Sequence, residues 1–269
     1  MSGSTSSRKG LIVPLDKKAD AEEDVFLIAG LGGHVISLQL LAREFSDEVK
    51  AFGVLHPVFL GNEADTLEAV AEVMFNEIVQ SDTKPPYYLA GFSMGGLIAL
   101  EVARLMEAND LAVNVILVDT TMPILPPKKP LILRAHIHIR WHLERFFTRF
   151  TKGFYSDHKK KLVAINEDDN MKPKMPARFQ KAYDLGRLAI KNYKITPCDV
   201  SVFLICSENI PWWDNLRYWP EDQGWGGYVN LKGRINCPGD HLDLLTHPEC
   251  RKETGKAIVK SISILKSNP

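Results

Sequence analysis

The sequence predicts an α/β protein with a mostly parallel central sheet flanked by helices, and two observations lead to this class. Short apolar runs of strand length alternate with amphipathic segments of helix length, an order that gives parallel strands joined by right-handed crossovers. Glycine-rich or polar residues directly follow several of these runs, and ligands of parallel sheets bind beyond the carboxyl ends of the strands. At 269 residues the chain is long enough for one large domain that carries an insertion.

The first half of the chain supplies most of the alternating elements. Apolar runs predict an edge strand and four core strands, at residues 11–15, 25–29, 51–55, 87–92 and 113–118. Amphipathic periodicity predicts helices over residues 37–45 and 66–79, the second beginning at an Asp65 or Thr66 cap. A further helix follows Ser93, because its apolar positions recur on one helical face.

The alternation stops after residue 121 and resumes near residue 196. Four prolines are followed by a basic and aromatic stretch, and a helix is expected between residues 176 and 192. We interpret residues 122–195 as an inserted helical lid over the site, since lids commonly gate and dehydrate such pockets. We assign residues 11–121 and 196–269 to the core. Its last predicted elements are strands at 200–206 and 233–237 and a helix over 248–265. Residues 1–10 are predicted to be a disordered tail or linker.

A Gly-x-Ser-x-Gly motif centred on Ser93 lies between a predicted strand and a predicted helix. A strand that turns directly into a helix strains the intervening residue, so Gly91 and Gly95 must be small and the serine hydroxyl stands clear of the sheet. The backbone N–H of Met94 lies at the helix N-terminus, where donors lack partners within the helix. This arrangement suits acyl transfer, which requires an exposed nucleophile beside a donor for the developing oxyanion.

The glycine-rich loop Gly30-Leu31-Gly32-Gly33-His34 follows the first core strand and is the expected place of a second oxyanion donor. A dinucleotide-binding loop is the competing interpretation. The spacing lacks the later glycine of that fingerprint, and residues 50–54, about twenty positions on, supply no acidic side chain. The sequence therefore favours an oxyanion loop.

An activated serine also requires a histidine base and an acid that orients it. His241 fits the base best, because it follows the last predicted strand within a glycine-containing loop, whereas His247 lies a helical turn further on. Asp119 and Glu208 each follow a core strand, and either satisfies the order serine, acid, histidine. Chain order alone leaves the acid open.

Composition excludes several other classes. The formal net charge is zero, so no overall field favours nucleic acid or a membrane surface, and the longest apolar runs are of strand length. His136, His138 and His142 do not share one helical face and have no accompanying carboxylate pair, which disfavours a metal site. Four cysteines without metal-like spacing and the lack of a secretory leader predict reduced thiols in a cytoplasmic protein.

The sequence resembles the thioesterase domains of polyketide, nonribosomal peptide and animal fatty acid synthases. The resemblance lies in the motifs around Ser93, Asp119 and His241 and in the strand and glycine loop near Leu31. These domains have the α/β-hydrolase fold. The resemblance spans most of residues 11–265 and is weakest in the lid. It implies that Ser93 is the nucleophile, Asp119 the acid and His241 the base. The same resemblance assigns the oxyanion donors to the N–H groups of Leu31 and Met94.

Ala29-Gly30 departs from the His-Pro that many members of that family carry, but the donor is a backbone group and the chemistry is unaffected. The resemblance further implies an acyl, polyketide or peptidyl chain delivered as a thioester on the phosphopantetheine arm of a carrier domain, with no bound cofactor or metal. Between residues 122 and 195 there are 17 basic and 6 acidic residues, a local net charge of +11 that would suit an acidic carrier domain. Alternatives are a free-standing editing thioesterase, a general carboxylester hydrolase and a non-catalytic scaffold.

Overall fold

The computed structural model describes residues 10–18, 21–33, 35–151, 176–209 and 214–268. Within this part of the chain one seven-stranded sheet is formed, with the order β1-β3-β2-β4-β5-β6-β7. Only β1 runs antiparallel to its neighbour, so the predicted mostly parallel sheet is confirmed. The strands are β1 (Ile12–Pro14), β2 (Glu23–Ile28), β3 (Val49–Val54), β4 (Tyr87–Phe92), β5 (Val113–Val118), β6 (Ser201–Ser207) and β7 (Asn230–Cys237).

Seven α-helices lie within the described residues, and most begin within one residue of the predicted start. Thr66 is the cap of the second helix, since its Oγ1 accepts a hydrogen bond from the Ala69 N–H at 3.1 Å. The long fourth helix was expected only as part of a helical lid. The helices are α1 (Ile36–Ala42), α2 (Leu67–Val79), α3 (Met94–Glu107), α4 (Leu131–Thr151), α5 (Ala177–Asn192), α6 (Asp243–Thr246) and α7 (Pro248–Ser267).

The core is built around β4, in which all six residues are buried. A central parallel strand has helices over both faces, so apolar side chains are favoured at every position. On one side α2 packs against α3, and on the other α1 packs against α7. Gly95, Gly96 and all apolar residues of α3 except the partly buried Leu105 are buried, which holds this helix close against the sheet.

Backbone contacts divide the chain into two compact units. The first comprises Met1–Leu125, Ala177–Asn209 and Pro220–Pro269, and contains the whole sheet. The second comprises Pro126–Pro176 and Ile210–Trp219. Within it, the backbone N–H of Lys129 donates to the Leu216 carbonyl at 2.8 Å and the Arg217 guanidinium donates to the Pro126 carbonyl at 2.7 Å.

These units do not follow the predicted bounds of the lid at residues 122–195. Helix α5 belongs to the first unit, because its buried face carries the small residues Ala182, Gly186 and Ala189 and packs on the core. Residues 214–219, which the sequence assigns to the core, group with the second unit. Residues 1–9 of the predicted tail and residues 152–175 of the predicted lid, including the Lys159-Lys160-Lys161 run, lie outside the described residues.

None of the helices in the described residues has both the length and the apolar character needed to cross a membrane. The thiols of Cys198, Cys206, Cys237 and Cys250 are free, and burial raises the pKa of the Cys206 and Cys237 thiols to about 11. These two cysteines are therefore protonated at neutral pH and behave as small apolar side chains.

Candidate active site

Ser93 occupies the sharp turn between β4 and α3, as the motif predicts. Its backbone has φ 55° and ψ −124°, a conformation that costs energy for any residue with a β-carbon. Two hydrogen bonds hold the turn: the Ser93 N–H donates to the Val118 carbonyl at 2.9 Å, and the Gly96 N–H donates to the Ser93 carbonyl at 3.0 Å. The side chain is half-buried at the carboxyl edge of the sheet.

The glycines around Ser93 are required by backbone-to-backbone contact. A β-carbon at Gly91 would overlap the carbonyl of Gly95, and one at Gly95 would overlap the carbonyl of Ile28. A β-carbon at Gly96 would overlap the side chain of Thr120, the residue after Asp119. The Ser93 turn is therefore in direct contact with the ends of both neighbouring strands.

Asp119 and His241 meet at the same edge, although 122 positions separate them in the sequence. The His241 Nδ1 lies 2.7 Å from Asp119 Oδ2, and Asp119 Oδ1 accepts a hydrogen bond from the Ser207 N–H at 2.8 Å. Burial raises the pKa of Asp119, but the hydrogen bonds from His241 and Ser207 outweigh it and hold that pKa below its usual range. Asp119 is therefore ionised at neutral pH.

This ionised carboxylate fixes the tautomer of His241. Because Asp119 can only accept, Nδ1 carries the imidazole hydrogen and Nε2 keeps its lone pair. A histidine in this state can take a proton from a serine hydroxyl. Glu208, the other candidate acid, is exposed at the end of β6, where its N–H donates to the Cys237 carbonyl.

The glycine loop lies against Ser93. A β-carbon at Gly30 would be 3.1 Å from the Ser93 β-carbon, so loop and serine are in contact. The Gly33 N–H donates to the Gly30 carbonyl at 3.0 Å, and both Gly32 and Gly33 have positive φ, which closes a tight turn around Leu31. His34, the last residue predicted for this loop, lies outside the described residues.

Leu31 and Met94 both lie against α5. A β-carbon at Gly186 would be 2.9 Å from Leu31 Cδ1 and 2.9 Å from Met94 Sδ. Near the start of α5 Phe179 packs edge-on against Phe59, with 4.9 Å between ring centroids, and just after the end of α5 the Tyr193 hydroxyl donates to Glu101 at 2.5 Å. Helix α5 is therefore a fixed wall beside the two residues predicted to supply the oxyanion donors.

Sequence reasoning did not find Gly186 or the Ser207 N–H. Gly186 is the one glycine of α5, whose other residues mostly favour helix, and it lies between Ala182 and Ala189. This pattern of small residues indicates that the helix packs closely against another element, but it does not say which one. The Ser207 donor is a backbone group without a side-chain signal. Among the described residues, no three His, Cys, Asp or Glu side chains cluster as metal ligands would, and His136, His138 and His142 lie on α4.

The strand order, the serine turn and the Asp119–His241 pair together define the α/β-hydrolase fold. Residues 23–128 match the family model described as Thioesterase domain. The resemblance to thioesterase domains seen in the sequence is thereby confirmed.

Two curated relatives agree with this match. The chain is 30% identical over 135 residues to the highly reducing polyketide synthase stpks1 of Strobilurus tenacellus, covering 50% of this chain and 4% of that protein. It is 32% identical over 104 residues to the atromentin synthetase of Tapinella panuoides, covering 36% of this chain and 10% of that protein. The chain thus corresponds to a small part of the length of each relative.

Among solved structures, the NocB thioesterase domain in covalent complex with a fluorophosphonate nocardicin G analogue superposes with a TM-score of 0.66. The match covers 93% of this chain and 99% of that domain, at 19% sequence identity. At this identity the similarity establishes the fold.

Proposed function

We propose that this protein is a serine thioesterase that takes an acyl, polyketide or peptidyl chain from the phosphopantetheine arm of a carrier domain and releases it by hydrolysis or cyclisation. The observation that carries the proposal is the 2.7 Å contact between Asp119 and His241 at the sheet edge that also holds the Ser93 turn. The match of residues 23–128 to thioesterase domains supports the thioester as the substrate class.

In the first half-reaction the Ser93 Oγ attacks the thioester carbonyl while His241 Nε2 takes the hydroxyl proton. The carbonyl oxygen becomes an oxyanion, which the N–H groups of Leu31 and Met94 stabilise. The tetrahedral intermediate then collapses, the carbon–sulfur bond breaks, and the pantetheine sulfur leaves as a thiol with the proton from His241. An acyl-serine ester remains on the protein.

In the second half-reaction His241 removes a proton from the incoming nucleophile, which attacks the acyl-serine ester. Water gives a free acid, whereas a hydroxyl or amine of the acyl chain gives a lactone or lactam. The departing Ser93 alkoxide recovers its proton from His241. Throughout, the ionised Asp119 holds the Nδ1 hydrogen and stabilises the imidazolium.

Intact-protein mass spectrometry tests this proposal directly. Wild type and Ser93→Ala are each mixed with a panel of acyl-pantetheine thioesters and with the matching simple esters. We expect wild type to gain the acyl mass and then lose it as product is released, and Ser93→Ala to gain nothing. Faster acylation by thioesters than by esters favours a thioesterase over a general carboxylester hydrolase. Undiminished turnover by Ser93→Ala contradicts the proposal.

The assignment of the acid is tested with a matched pair of isosteric variants. Asp119→Asn keeps the shape but loses the charge that fixes the His241 tautomer, so we expect turnover to fall by roughly 10³–10⁴-fold. Glu208→Gln makes the same change on an exposed side chain at the neighbouring strand end and should leave turnover within about twofold. The opposite result would transfer the role of the acid to Glu208.

A further inference from the structure

Phe92, the residue immediately before Ser93, makes a ring contact with His241 that the proposed mechanism does not use. The two rings are stacked, with 4.6 Å between centroids and 23° between planes. Phe92 is buried, whereas the His241 side chain keeps 36% of its exposure. One face of the imidazole is therefore covered by a fixed aromatic ring, and much of the remaining surface is open to solvent.

A second contact is needed to set the orientation of His241. The hydrogen bond to Asp119 fixes the position of Nδ1 and the Cβ–Cγ bond anchors the ring, but coupled changes of the two side-chain torsions still allow a limited rotation of the imidazole plane. A flat ring stacked on one face removes this rotation, because tilting the imidazole separates the two surfaces. Together, hydrogen bond and stack determine where the Nε2 lone pair points.

Phe92 is itself held rigidly. Its backbone belongs to β4 and is paired with Val118, the residue before Asp119. On the other side its ring lies close to Gly30, where a β-carbon would be only 3.3 Å from Phe92 Cδ1. Because Gly30 has no side chain, there is room for the Phe92 ring beside the glycine loop.

We propose that Phe92 is a positioning residue, which through its ring fixes the plane of His241 and stabilises the imidazolium that forms during each half-reaction. The inference rests on the proposed function of His241 as the base. The ring face carries partial negative charge, so its attraction to the imidazole increases when His241 takes the serine proton. The contact is therefore stronger in the transition state than in the resting protein, and its loss lowers kcat more than it changes KM.

The test compares Phe92→Leu and Phe92→Met with Phe92→Tyr, measuring steady-state turnover of an acyl-pantetheine thioester. Leucine and methionine fill much of the volume without a ring, and we expect kcat to fall about tenfold, equivalent to about 1.4 kcal/mol, with KM within about twofold. Tyrosine restores the ring and should bring kcat to within about twofold of wild type. Unchanged kcat in the ring-less variants, or equal losses in all three, overturns the proposal.

Phe26→Leu is the matched control. Phe26 is buried on the adjacent strand β2 and stacks on Phe52 with 5.6 Å between centroids and 27° between planes, so the same substitution removes a similar stack without touching His241. We expect the melting temperature to fall as in Phe92→Leu, but kcat to stay at the wild-type value. A matching loss of kcat would mean that Phe92 contributes only to stability.

A measurement on the unmodified protein keeps the proposal testable even if the ring-less variants fail to fold. Because the two rings are stacked, the ring current of Phe92 should move the NMR resonances of the carbon-bound imidazole protons of His241 upfield of those of the exposed His247. The resonances are assigned by their loss in His241→Ala. Unshifted resonances contradict the stack, whereas an absence of acylation in wild type contradicts the proposed function instead.

Discussion

Helices α4 and α5 both come from the segment that the sequence assigns to one lid, yet their surroundings differ. The residues of α5 that face the core are small and buried, and they bring the helix into contact with Leu31 and Met94. Helix α4 belongs to the second unit and exposes large apolar side chains, among them Ile132 at 87% and Leu131 at 75%. Amphipathic periodicity thus identifies the apolar face of a helix but not whether that face is covered.

Among changes to these two helices, the largest effect on the site is expected from adding bulk at the closest contact of α5. In Gly186→Val the branched side chain needs space that Leu31 and Met94 occupy, and overpacking of this kind costs about 1–3 kcal/mol. We expect the rate of Ser93 phosphonylation by a fluorophosphonate, measured by mass spectrometry, to fall roughly 10–100-fold as the proposed oxyanion donors, the N–H groups of Leu31 and Met94, shift.

Ala189→Val adds bulk one helical turn further along the same buried face and serves as the control. It should lower the melting temperature while leaving the phosphonylation rate within about threefold of wild type. If Gly186→Val reacts at the wild-type rate, the packing of α5 against Leu31 and Met94 does not affect the reactivity of Ser93. The difference in packing between α5 and α4 would then have no effect on the site.

Acid is expected to weaken the support of α5 on the side of Phe59, an effect on stability rather than on the site itself. His56 caps the short helix Pro57–Leu60, with its Nδ1 accepting from the Val58 N–H at 3.3 Å, and burial lowers the pKa of His56 to about 4. The unfolded chain, with a histidine pKa near 6.5, binds more protons between these values. The contribution of neutral His56 to the free energy of unfolding is therefore fully present above about pH 6.5. It decreases as the pH falls towards 4, by about 3 kcal/mol in total.

Urea denaturation between pH 4 and 7 measures this loss. His56→Asn replaces the Nδ1 acceptor with a side-chain oxygen suited to capping and does not titrate, so its free energy of unfolding should depend less steeply on pH over this range. If the free energy of unfolding depended equally on pH in wild type and variant, the pKa of His56 would not be lowered in the folded protein.

The smallest effect is expected on α4. Ile132→Gln replaces an exposed apolar side chain with a polar one of similar size, and exposed positions usually change stability by less than about 0.5 kcal/mol. We expect an unchanged melting temperature and an unchanged rate of Ser93 acylation. A drop in melting temperature of several degrees would show that Ile132 is covered in solution and would remove the difference between the two helices.

The sheet was predictable to the extent that its strands are apolar. Strands β4 and β5 have the predicted bounds because every position of β4, and nearly every position of β5, is buried. Strand β7 begins at Asn230, three residues before the predicted start. As the last strand in the sheet it alternates polar and apolar residues, and Lys232 and Arg234 interrupt the run that the prediction relied on.

The candidate site was predictable where chemistry and chain order coincide. Ser93 and His241 follow from a motif and a late glycine-containing loop, but spacing could not choose between Asp119 and Glu208, which follow neighbouring strands. The structure places Asp119 against His241. The roles of Phe92 and Gly186 depend on contacts between distant segments, which neither periodicity nor a local motif can reveal.

The glycine contacts around Ser93 also determine how this protein can evolve. At Gly91 and Gly95 a side chain of any kind would collide with main-chain atoms, which cannot move aside as side chains do. At Gly186 the obstructing atoms are the flexible ends of Leu31 and Met94, so compensating substitutions are available there. Adaptation to a new substrate is therefore expected to proceed through the wall that α5 forms, while the Ser93 turn is inherited without change.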